Sequence, residues 1–136
     1  MNQSVRYLLD TFAVIDLPKS GQVKPDSEYL ISTITVAELN ASIHTTNDPV
    51  ERARRLARRH WVNDKFDPLP FGVPAARMYG QLVALVIAAR RGHRRRGMDL
   101  LIGSVAAIHR LPLVTRNPGD FAGLEPMLTI VGVDNA

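Results

Sequence analysis

The stretch Tyr7-Leu8-Leu9-Asp10-Thr11 places three apolar residues directly before a carboxylate. Arg6 to Leu9 is predicted to be a first strand, buried on both faces because its apolar residues do not alternate with polar ones. Ligands of open α/β sheets collect outside the carboxyl ends of the strands, so Asp10 holds a position typical of a functional site. An Asp here is also a common helix N-cap, since Thr11 to Leu17 is predicted to be a short helix ended by Pro18.

Strand and helix patterns alternate along the rest of the chain. The further strands are predicted at Tyr29–Ser32, Phe66–Phe71, Leu113–Thr115 and Met127–Val133, the second of them at a sheet edge because prolines interrupt it. The helices are predicted from Val36 to about His44, from Pro49, from Pro74 to about Gly92, and from Met98 to His109. This alternation predicts one three-layer α/β/α domain over residues 1–136, with a mainly parallel central sheet.

Two helix starts carry recognisable capping patterns. Thr35-Val36-Ala37-Glu38 fits a capping box, which would put Glu38 in the first turn of its helix. Asp48 is predicted to cap the helix that begins at Pro49. The buried stripe of that helix is predicted to be apolar, with the arginines facing outward; its members are Val50, Ala53, Ala57 and Trp61.

Composition excludes several classes of protein. With 46% hydrophobic and 22% charged residues the 136-residue chain has ordinary globular composition. It has no cysteine, which excludes a disulfide framework and a thiolate site. No apolar run approaches the roughly 20 residues of a membrane span, and the first residues lack a signal-peptide pattern. We therefore expect a soluble cytoplasmic protein with no membrane partner.

The net charge of +4 is unevenly distributed. Ten arginines fall into two clusters, and subtracting them leaves −6 for the remaining residues. The clusters are Arg52, Arg54, Arg55, Arg58 and Arg59, and Arg90, Arg91, Arg94, Arg95 and Arg96. Basic patches of this kind commonly contact nucleic-acid backbones, although arginines also serve simply to solvate helix faces.

Acidic and amide side chains recur where predicted strands end and helices begin. Asp10 follows the first predicted strand, and Glu38 lies after the second. Asn117 and Asp120 follow the predicted strand Leu113–Thr115. Asp99 opens the core helix that leads to that strand. Taken singly, each is explained as a cap or a turn residue. Because strand ends and the helix starts after them share one edge of a parallel sheet, we expect these residues to converge.

Converging carboxylates repel one another unless a cation lies between them. An oxygen-rich site with neither cysteine nor a histidine pair suits Mg²⁺ or Mn²⁺ rather than zinc. Such ions orient and deprotonate water for attack on phosphorus. The run Arg94-Arg95-Arg96 just before Asp99 would hold a polyanionic backbone, so the pattern predicts phosphodiester hydrolysis without a side-chain nucleophile.

Four blocks of sequence resemble the PIN-domain ribonucleases, and most closely the VapC toxins of bacterial toxin–antitoxin pairs. They occur in the order and at the spacing of that family, so the resemblance covers the whole chain. The blocks are YLLDT at Tyr7–Thr11, ISTITVAELN at Ile31–Asn40, RGMDLLIGSVAAIHRLPLVT at Arg96–Thr115 and RNPGDFAGL at Arg116–Leu124.

The resemblance implies roles for individual residues. Asp10 and Asp99 look like the principal metal ligands, and Glu38 like the acid that helps bind the metal or polarises the attacking water. The fourth catalytic position is similar to Asp120 or Asn117, which the sequence does not separate. Thr11 and Thr115 would support the acids, and the residues implied to bind RNA are Arg94, Arg95, Arg96 and Arg116.

Three features depart from the family pattern. Phe12 stands where a small polar residue often follows LDT, so a hydrogen bond of relatives is expected to be missing. Asn117 replaces an acid of some relatives, which removes a charge and weakens a second metal site. The run Arg94 to Arg96 is richer in arginine than the pattern requires.

The resemblance implies an endoribonuclease that requires Mg²⁺ or Mn²⁺, forms a homodimer and is neutralised by a VapB-type antitoxin. Two other functions use the same residues. A non-catalytic PIN-like module would bind RNA or a protein through its arginines, and would be indicated by equal toxicity of wild type and Asp99→Asn. A nuclease acting on DNA would be distinguished by comparing RNA and DNA substrates at matched salt.

Overall fold

The computed structural model describes residues 5–20, 26–90 and 96–133, with only the backbone of 17–20. This part holds four strands and five α-helices, and four of the helices follow one another between the second and third strands, where a further strand was predicted. The strands are β1 (Val5–Leu9), β2 (Ser27–Leu30), β3 (Leu113–Thr115) and β4 (Ile130–Gly132). The helices are α1 (Thr11–Ser20), α2 (Thr33–Ser42), α3 (Pro49–Lys65), α4 (Val73–Ala88) and α5 (Gly97–Ile108).

The four strands form one sheet in the order β2-β1-β3-β4, and every described pairing is parallel. Leu8 pairs with Leu30 on one side and with Leu113 on the other, so β1 lies inside the sheet. The parallel sheet confirms the predicted fold class. All strand carboxyl ends point to one edge, called here the carboxyl edge.

The two faces of the sheet support separate apolar layers. Leu8 and Leu113 belong to a cluster with α4 and α5, whereas Leu9 and Val114 belong to a cluster with residues of α1, α2 and α3. These four residues are at most 2% exposed. Adjacent residues of β1 thus pack on opposite faces, as the unbroken apolar run predicts.

Helix α5 is the central helix of the first layer. Six of its residues are buried, which confirms the prediction of a core helix; they are Leu100, Ile102, Gly103, Ser104, Val105 and Ala106. Gly103 permits close packing, because a Cβ there would lie 3.2 Å from Leu128 and 3.6 Å from Leu82 of α4. The buried stripe of α4 is Ala75, Leu82 and Val86.

Two predictions that rested on proline were wrong. Helix α1 passes through Pro18 and continues to Ser20, since a proline near a helix end removes only one hydrogen bond. The segment Phe66–Phe71 forms a single parallel bridge, between Leu69 and Ser32, in place of a strand. Its flanking prolines have no N–H to extend the ladder beyond that bridge.

The predicted capping box at Thr35–Glu38 was also wrong. Ser32 is the N-cap of α2, and its hydroxyl accepts the N–H of Thr35 at 3.3 Å. Helix α2 therefore starts at Thr33 and Glu38 lies in its second turn. The carboxylate of Glu38 is not used to cap the helix.

Helix α3 buries a different face from the predicted one. Asp48 caps it as expected, accepting the N–H of Val50 at 3.0 Å. Val50 and Trp61 are nevertheless 61% and 38% exposed, and Ala53 and Ala57 are exposed as well. Three arginines are partly buried instead: Arg55, Arg58 and Arg59. The physical reason is that arginines of α3 satisfy carbonyl groups at the end of α2, among them Ser42 O at 2.5 Å from Arg55 Nη1.

No helix within the described ranges is both long enough and apolar enough to cross a membrane.

Candidate active site

Asp10 lies at the carboxyl end of β1 and caps α1. Its Oδ1 accepts the N–H of Ala13 at 2.8 Å, and its own N–H donates to Val114 O at 3.0 Å. The side chain is 5% exposed. Burial raises the pKa of Asp10 above its usual value, and the carboxylate of Glu38 raises it further. Hydrogen bonds from Thr115 and Ala13 and the charge of Arg116 act in the opposite direction. The capping and site roles of Asp10 are thus compatible.

Glu38 is held by two threonines. Thr11 Oγ1 donates to Glu38 Oε1 at 2.6 Å, and lies 3.1 Å from Thr35 Oγ1. Because the single hydroxyl proton of Thr11 goes to Glu38, Thr35 is the donor in the second bond. This chain of hydroxyls orients the carboxylate and leaves Oε2 without a hydrogen-bond partner among the described residues.

Asp99 lies in the first turn of α5 and meets the other acids from across the sheet edge. Burial raises the pKa of Asp99 to about 6, and the carboxylates of Asp10, Asp120 and Glu38 each contribute to the rise. Among the principal influences, only the charge of Arg96 lowers the pKa of Asp99. The four predicted catalytic acids therefore act on one another electrostatically, as expected for groups at one edge.

The residues after β3 complete this edge. Thr115 is 2% exposed, and its hydroxyl bonds both to the Asp10 carboxylate and to the backbone N–H of Asn117, the latter at 3.2 Å. Asp120 lies in a short 3₁₀ helix, Pro118–Phe121. Asn117 thus enters the described network through its backbone, whereas Asp120 acts on Asp99 through its charge. This difference favours Asp120 as the fourth site residue.

Two of the predicted RNA-binding arginines flank the acids. Arg96 directly precedes α5, and its Nη1 donates to the carbonyl of Asp120. Arg116 follows β3, and its Nη1 lies 3.3 Å from Asp16 Oδ2. Arg94 and Arg95, predicted for the same role, lie outside the described residues.

The acids do not form a complete metal-coordination site within the described residues. Within residues 5–20, 26–90 and 96–133, no three side chains of Asp, Glu, His or Cys are grouped as ligands of an ion. Two observations still fit a hard divalent cation. The available ligand atoms are carboxylate oxygens, and burial together with the charges of neighbouring carboxylates raises the pKa values of Asp10 and Asp99. Mg²⁺ commonly uses one or two carboxylates and keeps several waters, so a cage of three is not required.

Sequence reasoning missed two features of this edge. Thr35 was assigned to a helix cap, but it is buried and its hydroxyl donates to Thr11, which in turn donates to Glu38. Phe12 is 52% exposed and has the Arg116 guanidinium 4.5 Å from its ring centroid. The sequence signal for the role of Thr35 is its place one helical turn before the acid Glu38. For the second, an exposed aromatic residue next to the LDT motif is the only sign.

Comparison with known proteins gives a consistent family assignment. The PIN domain model matches residues 7–124. Ribonuclease VapC5 of Mycobacterium tuberculosis is 37% identical over 94 residues, which cover 69% of this chain and 67% of that protein. Ribonuclease VapC1 of Rickettsia felis is 31% identical over 135 residues, covering 93% of this chain and 98% of the relative.

A solved structure shares both fold and sequence. It is the crystal structure of VapBC-5 from Mycobacterium tuberculosis, a member of the VapBC family of toxin–antitoxin systems. The matching chain superposes with a TM-score of 0.77 at 31% identity, over 94% of this chain and 97% of that one. The likeness therefore extends through all the elements that carry the acids.

Proposed function

The chain belongs to the PIN domain family, and on that premise we propose that it is a VapC-type endoribonuclease toxin, dependent on a divalent cation. Its relatives of at least 31% identity are named ribonucleases. One observation in this chain carries the proposal. The pKa of Asp99 rises to about 6 because the site is partly buried and three further carboxylates converge on it. Repulsion between buried carboxylates opposes folding, and pKa shifts of this kind cluster at functional sites.

Asp10 and Asp99 would hold the cation, with Glu38 beside them. Carboxylate oxygens match the preference of Mg²⁺ and Mn²⁺. When bound, such an ion supplies charge stabilisation for the phosphodiester and lowers the pKa of water. The N–H of Ala13 holds Asp10 at Oδ1, and the Thr115 hydroxyl also bonds to this carboxylate.

We assign to Glu38 the role of taking a proton from the attacking water. Its Oε1 is occupied by the Thr11 hydroxyl, so Oε2 is the oxygen left to accept a proton. The donor chain through Thr11 and Thr35 keeps the carboxylate from rotating. Asp120 adds negative charge near Asp99 and helps retain the cation.

The arginines around this edge would bind the RNA backbone. Arg96 and Arg116 bracket the acids, and each lowers the pKa of a neighbouring acid through its positive charge. We assign Arg94 and Arg95 the same role on sequence grounds alone. Positive side chains at this spacing offset the repulsion between the acids and the phosphates.

Control by a partner protein is part of the proposal. The structure of VapBC-5 is described as that of a toxin–antitoxin system, and this chain matches 97% of the chain compared. A VapB-type antitoxin that places a basic side chain among the four acids would be attracted by the same charges that attract the cation. We extend the proposal to a homodimer in the cytoplasm, as the resemblance implies.

The proposal is tested by incubating the purified protein with total cellular RNA and Mg²⁺, and mapping the new ends. Asp10→Asn should lower the cleavage rate by more than about a hundredfold, and EDTA should abolish cleavage. Asp64→Asn is the matched control, because Asp64 is an exposed acid on α3 outside the site. Circular dichroism verifies that each variant folds.

Persistent cleavage in EDTA would disprove the metal mechanism. Equal rates for wild type and Asp10→Asn would indicate a contaminating nuclease or a binding module. A DNA strand of the same sequence at matched salt should be cut more slowly than RNA; the reverse order would assign the chain to DNA.

A further inference from the structure

A pocket of about 440 Å³ opens beside the acids, between α1, α2 and α3. Thr11 and Glu38 belong both to its lining and to the acidic site, so the two are continuous. The volume lies within the range of pockets that bind small organic groups. A polymer bound at the acidic site would therefore have this pocket beside it.

Three arginines line the pocket, and two of them already have partners. Arg55 donates to Ser42 O at 2.5 Å and to Thr45 Oγ1 at 2.9 Å, which ties α3 to the end of α2, and to Glu51 Oε1 of its own helix at 3.1 Å. Arg116 pairs with Asp16 at 3.3 Å. Both therefore have partners within the chain, although half of the Arg116 side chain remains exposed.

Arg58 is different. It is partly buried in the pocket lining, yet it makes no hydrogen bond or ion pair with any residue of the described part of the chain. A cation partly withdrawn from water without an anionic partner costs solvation energy. That cost is offset when a ligand brings the anion.

The pocket also has an aromatic wall. Phe12 is 52% exposed although it is large and apolar, and Arg116 lies against its ring. Aromatic side chains are the usual platforms on which unpaired bases stack, and arginines add cation–π contributions. Phe12 also departs from the residue type expected after LDT, so this wall is a property of the present chain.

We infer that this pocket binds a nucleotide adjoining the scissile bond of an unpaired RNA segment, with Arg58 on its phosphate and Phe12 against its base. The inference rests on the proposed ribonuclease function, of which it names the substrate class. The base must be unpaired, because a base inside a helix cannot present its face to a side chain. An unpaired cation favours an anionic strand over a basic protein segment as the occupant.

The test measures binding and cleavage with the whole protein. Binding of a fluorescein-labelled single-stranded RNA 12-mer is followed by anisotropy in EDTA, which suspends cleavage, at several salt concentrations. Cleavage of the same RNA is followed with Mg²⁺. The variants are Arg58→Gln, Phe12→Ala and the control Arg54→Gln, which removes an equal charge from a side chain that is 72% exposed on the same helix.

Arg58→Gln should weaken binding about tenfold and reduce the slope of log Kd against log salt by about 0.7. Phe12→Ala should weaken binding by roughly tenfold and leave the salt slope unchanged, since stacking releases no counterions. In cleavage both changes should appear in KM more than in kcat. Arg54→Gln should change neither by more than about twofold.

The outcomes separate this inference from the function on which it rests. A wild type that neither binds nor cuts RNA overturns the proposed function. A wild type that cuts RNA, together with variants at Arg58 and Phe12 that behave like Arg54→Gln, overturns the pocket alone. Variants that cut normally but escape a co-expressed antitoxin would assign the pocket to a protein partner and also overturn it.

Discussion

Helices α4 and α5 and the carboxyl edge of the sheet both bury side chains, but of opposite kinds. The layer made by the helices is built from apolar residues such as Leu82, Leu100 and Phe121, each at most 2% exposed. Of the five buried polar or charged residues in the described ranges, four lie at the carboxyl edge: Asp10, Ser32, Thr35 and Thr115. The first region gains free energy from burial, whereas at the second burial raises the pKa values of two acids.

This difference separates what stabilises the fold from what prepares the site. Apolar burial in the helical layer contributes roughly 1.5–3 kcal/mol per large side chain. At the edge, hydroxyls and backbone N–H groups hold carboxylates close to one another against their repulsion. Substitutions in the two regions should consequently change stability with opposite signs.

The largest effect on stability is expected in the helical layer. Leu82→Ala should lower the free energy of unfolding by about 3 kcal/mol, because it leaves a cavity among fully buried neighbours. Ile87→Ala on the same helix is the control, since Ile87 is 57% exposed and should change it by less than about 0.5 kcal/mol. Urea denaturation measures both. Equal losses would show that α4 is not packed by the stripe described.

At the carboxyl edge a substitution is expected to increase stability, by a smaller amount. In metal-free protein at pH 7, Asp99→Asn should raise the free energy of unfolding by on the order of 1 kcal/mol, after allowance for solvent screening. It removes a charge that burial and three acids disfavour. Asp64→Asn, at an exposed position, should have little effect.

The pH dependence of this gain follows from the direction of the shift. The pKa of Asp99 is raised from 3.8 to about 6 on folding, so the native state binds the proton more tightly than the unfolded chain. The corresponding stability is fully present below pH 3.8 and lost as the pH rises through about 6. The advantage of Asp99→Asn should therefore be absent at pH 3.5 and complete above pH 7. An advantage independent of pH would contradict the electrostatic cause.

Much of the fold and the acidic set were predictable from local pattern. The apolar run before Asp10 and the helical periodicities of α4 and α5 depend on burial alone, and burial is visible in sequence. Convergence of Asp10, Glu38 and Asp99 followed from the geometry of parallel strands. The family resemblance supplied the individual roles, and those roles remain predictions.

The wrong predictions concern features that depend on contacts between segments distant in sequence. The buried face of α3 differs from the predicted one because Arg55 donates to the carbonyl of Ser42 at the end of α2, 13 residues away in sequence. The start of α2 was misplaced because Ser32 and Thr35 are both competent caps, and the bridge between Ser32 and Leu69 selects the first. Whether Arg58 has a partner likewise depends on which segments pack against α3, and none of the described residues provides one.

The central claim is that the acids at the carboxyl edge bind a divalent cation, and the response of stability to Mn²⁺ tests it most directly. Mn²⁺ is titrated into EDTA-treated, dialysed protein at pH 7.5 while the free energy of unfolding is measured. Wild type should gain stability as the ion binds, by about 2.7 kcal/mol at a hundredfold excess over Kd. Asp99→Asn should start more stable and gain much less, and Asp64→Asn should follow wild type. A wild type indifferent to Mn²⁺, or an equal gain in Asp99→Asn, would contradict the claim.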